Sequence, residues 1–220
     1  MRILFCKTGH MKYYKGVTAK DKLKNGGLYV QEHQDGGEAY NFAPVKFPDG
    51  NEYCFGFFET KSKDGYKSGT RISNQLHIEK IDASSQNEDE LDDVLVIWCA
   101  TRDTNDLKIV GWYQHATVFR HYQSLEFENG YTQDYNVCAA KKDCVLLPYE
   151  EQNRHIWDAV SSRKKDFGFG QSLVWYANEE AAQDYVQQIV DQINRYQGDN
   201  YIDIDENNDP AEKKRISILD

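Results

Sequence analysis

Val94 to Ala100 is an uninterrupted apolar run, and Ile109 to Arg120 follows it after the polar turn Asp103 to Asp106. A strand with one wet face alternates apolar and polar side chains, so a run without alternation reads as a strand buried on both faces. The two stretches around a short polar turn predict an antiparallel hairpin, with Trp98 on one arm and Trp112 on the other. The rest of the chain is read around it.

Met1 to Cys6 suits an opening strand, and Lys7 to Lys24 is polar and lysine-rich. Gly26-Gly27 and Gly36-Gly37 bracket a short strand, Leu28 to Glu32. Pro48-Asp49-Gly50-Asn51 is a turn signal before an aromatic strand, Tyr53 to Phe58, so a hairpin is expected there. Leu76 to Ile81 alternates as a half-buried strand, Tyr135 to Leu147 holds one or two more, and Ser172 to Ala177 another. Pro148 opens a short helical stretch that includes Trp157. A helix is predicted over Glu179 to Gln197, capped by Asn178 and stopped by Gly198. Its Ala182, Tyr185, Val186, Ile189, Val190, Ile193 and Tyr196 recur on one stripe, which is core packing. The organisation expected is one α+β domain over 1–197, with 198–220 an acidic linker or tail leading to a possible further domain.

Composition excludes several classes. No run approaches the ~20 apolar residues that span a bilayer, and the opening residues are too short for a signal-peptide core, so a cytoplasmic protein without membrane partners is expected. Cys6, Cys54, Cys99, Cys138 and Cys144 form no C-x-x-C pair. They suggest reduced thiols rather than a disulfide framework or a zinc site, and no cofactor is implied. The net charge of −10 opposes nucleic-acid binding, but it is unevenly spread. Residues 1–80 hold 13 basic and 9 acidic side chains, a net +4, whereas residues 81–220 hold 13 and 27, a net −14. A basic N-terminal face is therefore available.

The common catalytic motifs are absent: there is no Walker loop, G-x-S-x-G, H-E-x-x-H or complete dinucleotide fingerprint, and Gly168-Phe169-Gly170 lacks the third glycine. His115 and His121 do not have the spacing of a helical metal pair. One constellation has the form of the P-D…E-x-K nucleases: Pro48-Asp49 precedes Glu59-Thr60-Lys61. In such enzymes Asp49 and Glu59 would hold magnesium and Lys61 would orient the attacking water. Pro-Asp-Gly is equally a common turn, and the turn reading is preferred.

Aromatic residues beside hydrogen-bonding groups recur more widely. Tyr13 and Tyr14 lie among lysines, Tyr40-Asn41-Phe42 follows a glycine pair, and Trp112-Tyr113 and Trp175-Tyr176 end apolar stretches. Such rings stack on bases at about 1–3 kcal/mol per contact, and an amide can read a base edge. The plainer alternative is that most of them fill a β-rich core.

Gly9 to Gly16, Gly37 to Phe42, Val94 to Thr101, Gly111 to Arg120 and Gly170 to Ala177 resemble a bacterial N-terminal domain often joined to an HNH nuclease. That architecture is similar to modification-dependent restriction enzymes, whose reader domains are commonly PUA-like (EVE, YTH and SRA members). The resemblance implies a strongly curved sheet or partly open barrel with flanking helices and a C-terminal helix. It also implies a DNA-binding module that recognises a modified, flipped base and targets a fused or associated nuclease. Base contacts would then come from Trp98, Trp112, Tyr113, Trp175, Tyr40, Asn41, Tyr13 and Tyr14, and phosphate contacts from Lys12, Lys15, Lys22 and Lys24. Strand alternation turns Trp112 and Tyr113 to opposite faces, so only one can enter a given pocket. The alternatives are the magnesium nuclease and a protein or small-ligand interaction module.

Overall fold

The computed structural model describes residues 1–25, 37–60, 75–103, 105–128, 130, 132–163 and 165–210. The hairpin at its centre is longer than expected: strand β4 is Glu90–Thr101 and strand β5 is Leu107–Glu126. Around it lie β1 (Ile3–Thr8), β2 (Val45–Lys46), β3 (Glu52–Gly56), β6 (Thr132–Ala140), β7 (Cys144–Leu146) and β8 (Val174–Trp175). The sheet order is β2-β3-β6-β5-β4-β1-β8. On the edge of β5 away from β4, β7 pairs with residues 111–113 and β6 with residues 117–126. β1 and β4 run parallel, and the other pairs are antiparallel.

Both faces of this sheet are covered, as the unbroken apolar run Val94 to Ala100 requires. On one face Leu4, Cys6, Val96, Trp98, Val110 and Tyr113 meet Met11, Tyr14, Phe42, Ile78 and Tyr201. On the other, Ile3, Phe5, Ile97, Ile109 and Trp112 meet Trp157, Phe169 and helix α1, Gln183–Arg195. Val186, Ile189, Val190 and Ile193 of α1 are buried there, each worth about 2 kcal/mol of transfer free energy. Among the described residues α1 is the one α-helix, and none is long and apolar enough to cross a membrane.

A strongly curved sheet or PUA-like barrel is therefore not what forms. The strand order runs openly from β2 to β8, and the sheet neither closes nor curls strongly. A closed barrel has one interior, whereas this sheet separates two cores and must remain a layer. Its edge strands, two residues each, would also give little ladder for closure.

Three local expectations change with it. Leu76 to Ile81 forms a 3-10 turn, Ile78–Lys80, because the buried Arg120 gathers this region. Its guanidinium donates to Glu79 Oε2 at 2.7 Å, Ser85 O at 2.8 Å and Glu88 O at 2.8 Å. Asn178 does not cap the helix, since its amide donates to Lys80 O at 2.8 Å and a 3-10 turn, Glu180–Ala182, leads into α1. Residues 199–210 of the expected tail pack on the body, with Tyr201 and Ile202 in the first core. The strand expected over Leu28 to Glu32 lies outside the described residues.

Trp98 pairs with Gly111 while Cys99 pairs with Ile109, so Val110 is an extra residue that bulges β5. Gly111 sits where β5, β7 and Phe42 crowd together: a Cβ there would lie 2.3 Å from Val145 O and 2.6 Å from Phe42 Cζ. Gly111→Ala should therefore lower stability by about 3 kcal/mol, read as an earlier urea midpoint with an unchanged slope. A midpoint equal to the native chain's would contradict this packing.

Candidate functional site

The structure does not gather the predicted base-binding residues into one pocket. Trp98 and Tyr113 are buried on one face with ring centroids 5.4 Å apart, and Phe42 joins Tyr113 at 5.4 Å and Tyr14 at 5.5 Å. Trp112 is buried on the opposite face, stacked on Trp157 at 5.5 Å and edged by Tyr196 at 5.4 Å. Trp175 packs on Phe5 at 4.6 Å. Asn41 is buried and holds the chain after β3, accepting from Phe57 N at 2.8 Å and donating to Phe57 O at 3.1 Å. Tyr40 is half-buried. The aromatic excess is mainly core, and the alternation that sends Trp112 and Tyr113 to opposite faces is observed.

Two of the four predicted phosphate lysines are fasteners. Lys12 Nζ meets Asp209 Oδ2 at 2.7 Å, and the buried Asp209 also accepts from the Tyr13 hydroxyl at 2.7 Å and from Tyr201 at 3.3 Å. Lys15 donates to the carbonyls of Phe42 and Ile202, and burial pulls its pKa down to about 8. Both lysines thus tie residues 199–210 to the domain. Lys24 pairs with Asp103 at 2.8 Å on the surface, and Lys22 is exposed.

The nuclease constellation separates too. Asp49 shapes the β2–β3 turn by accepting from Asn51 N at 2.9 Å and Asn51 Nδ2 at 2.7 Å, and these bonds hold its carboxyl below the usual range. Glu59 lies past the other end of β3, so roughly 13 Å of strand separates two groups that a shared magnesium would need close together. Lys61 lies outside the described residues. Among the described residues no three His, Cys, Asp or Glu side chains form a metal-binding group.

A concave feature forms elsewhere, beside helix α1. In β1 the alternation that sends Ile3 and Phe5 into the second core places Lys7 at its rim. The β4–β5 turn contributes Asn105 and Asp106, the start of β5 contributes Leu107 and Lys108, residues 155–163 with Lys165 form one wall, and Tyr185, Gln188, Ile189, Gln192 and Arg195 of α1 the other. Together they line a groove of about 880 Å³.

The 155–163 wall is well tied. Ala159 N donates to Leu107 O at 2.9 Å, the Tyr185 hydroxyl to Asp158 O at 2.9 Å, and buried Lys108 pairs with Asp158. Behind it Gly168, with φ +108°, lets Phe169 N reach Val160 O at 2.9 Å.

Five side chains here are cationic: Lys7, Lys108, Arg163, Lys165 and Arg195. Facing them are Asp106, Asp158 and Asp191. Lys108 is matched by Asp158, and Arg195 approaches Asp191 at 3.8 Å. Lys7, Arg163 and Lys165 make no ion pair among the described residues. Partial burial pulls the Lys7 ammonium below its ordinary pKa, with the positive charge of Arg163 adding to the effect. The sequence signal for this site was the basic run Arg163-Lys164-Lys165 inside the acidic half, next to the Gly-Phe-Gly motif.

The chain matches no family model, and no curated protein or solved structure is significantly similar to it.

One buried histidine carries a testable consequence for stability. His10 is buried beside Arg102, whose guanidinium lies 3.9 Å over the Tyr149 ring. Burial first, and then the Arg102 charge, lower the His10 pKa from 6.5 to about 4. Below pH 6.5 the unfolded chain takes up a proton that the folded chain refuses until about pH 4. The His10 contribution is therefore present above pH 6.5 and lost as the pH falls to about 4, amounting to roughly 3 kcal/mol. Urea unfolding across this window should show a shallower decline in His10→Gln than in the native chain. Parallel declines would contradict the assignment.

Proposed function

We propose that this chain is a nucleic-acid-binding module without a catalytic centre of its own, and that backbone phosphates enter the groove beside α1. The observation that carries this reading is the set Lys7, Arg163 and Lys165, without an ion-pair partner among the described residues, lining one groove of a protein with 36 Asp and Glu side chains and a net charge of −10. Stability alone favours pairing such cations, and placing Lys7 near Arg163 works against keeping Lys7 charged. A polyanion supplies the missing counter-charge. Only a locally positive recess lets an acidic protein hold one.

Asn105, Gln188 and Gln192 place amides along the same groove, and amides are the groups that pair with base edges. Base recognition, including that of a modified base in a restriction system, would be made there by edge contacts. The buried rings of Trp98, Trp112, Tyr113 and Trp175 offer no face to a flipped base.

The test is binding of labelled oligonucleotides by fluorescence anisotropy over a range of salt. Three phosphate contacts give a slope of log K against log salt of about −2 to −3, and each of Lys7→Ala, Arg163→Ala and Lys165→Ala should reduce its magnitude by about one. Arg163 and Lys165 are exposed, so their variants should fold normally. Binding that is insensitive to all three substitutions would remove the groove from the function.

A further inference from the structure

The reading of the groove as a phosphate site leads to a narrower one on which it bears directly: we infer that the groove takes a single strand, with one or two unpaired nucleotides in the recess, rather than a duplex. This rests on the proposed function and adds the class of ligand to it.

Shape is the first reason. The cations line a recess of about 880 Å³ between α1 and a wall of residues 155–163 and Lys165. That is the size of a small-molecule cleft, roughly 300–1,000 Å³. A duplex is read by an element that projects into its major groove, about 12 Å wide. Here the charges rim a hollow, into which the bulk of a duplex cannot follow.

The floor is the second. Leu107, Ile156, Ile189 and Tyr185 give the groove an apolar base beneath its charged rim. In a duplex the base faces are stacked on one another and only phosphates and edges are presented, so such a floor would go unused. An unpaired base has two free faces and can rest on it while its phosphate meets Lys7 and Arg163.

Charge is the third. A duplex carries a phosphate for every ~1.7 Å of its axis and would lay its second strand across the rest of a protein whose net charge is −10. Like-charge repulsion there is screened only beyond about 8 Å at physiological salt. A flexible single strand dips a few phosphates into the positive recess and turns the others away.

Anisotropy titrations of the whole chain with a short single-stranded oligodeoxynucleotide and with its blunt duplex, at one low salt concentration, decide the matter. The single strand should bind at least about tenfold more tightly, and Ile156→Glu should weaken the single strand by a further tenfold or so. Ile156 is only half-buried at the groove, and an unchanged circular dichroism spectrum would confirm that the variant folds. Duplex binding as tight as single-strand binding, with sensitivity to Arg163→Ala retained, would overturn this inference and leave the phosphate-binding reading standing. Binding of neither would overturn both.

Discussion

Strand β5 is hydrogen-bonded to β4 on one edge and to β7 and then β6 on the other, while the sheet around its first half is covered on both faces. The side chains from Ile109 to Tyr113 therefore lie in one core or the other. The bulge at Val110 resets which residue points to which side, so that Trp112 goes to the helix face and Tyr113 to the opposite face. Gly111 at that point admits Phe42 and the β7 backbone. This arrangement explains why the sheet stays open: a layer between two cores has no interior of its own to wrap around.

The two faces are finished by different means, and the proposed binding groove follows the difference. On the Trp98 face the cover is irregular chain held by specific polar clamps, among them Lys12 and Asp209 at 2.7 Å, and Lys12 and Lys15 of the basic N-terminal stretch are used in those clamps. On the Trp112 face the cover is one amphipathic helix and the 151–169 segment, which meet along a groove instead of sealing against each other. The charge left over for a ligand is found where the packing leaves a recess.

Much of the architecture was legible in the chain itself. The unbroken run Val94 to Ala100 announces a strand with two dry faces, Pro48-Asp49-Gly50-Asn51 makes its turn, and the Val186, Ile189, Val190, Ile193 stripe docks as its spacing requires. What could not be read were contacts between distant residues. Arg120 reaches carbonyls more than thirty positions away and turns an alternating segment into a 3-10 turn, while Asp209 finds Tyr13 at 196 positions' separation and folds down an apparently solvated tail. The predicted aromatic residues are dispersed between the cores for a related reason. A ring with a polar neighbour looks the same in sequence whether it lines a cleft or fills a core, and only the covering of both sheet faces shows which. Lys7 was hidden because its neighbours in space, Arg163 and Lys165, are supplied by a segment more than 150 residues along the chain.

The central claim is a division of labour, in which the aromatic residues build the cores and the cationic groove beside α1 binds. Amide hydrogen exchange of the whole chain, with and without a short single-stranded oligonucleotide, tests it most directly because it reports every segment at once. Slowed exchange confined to the β4–β5 turn, residues 155–163 and α1 is the predicted result. Protection at residues 10–24 and 37–42 with the groove unchanged would return the binding site to the lysine-rich N-terminal face and contradict the account.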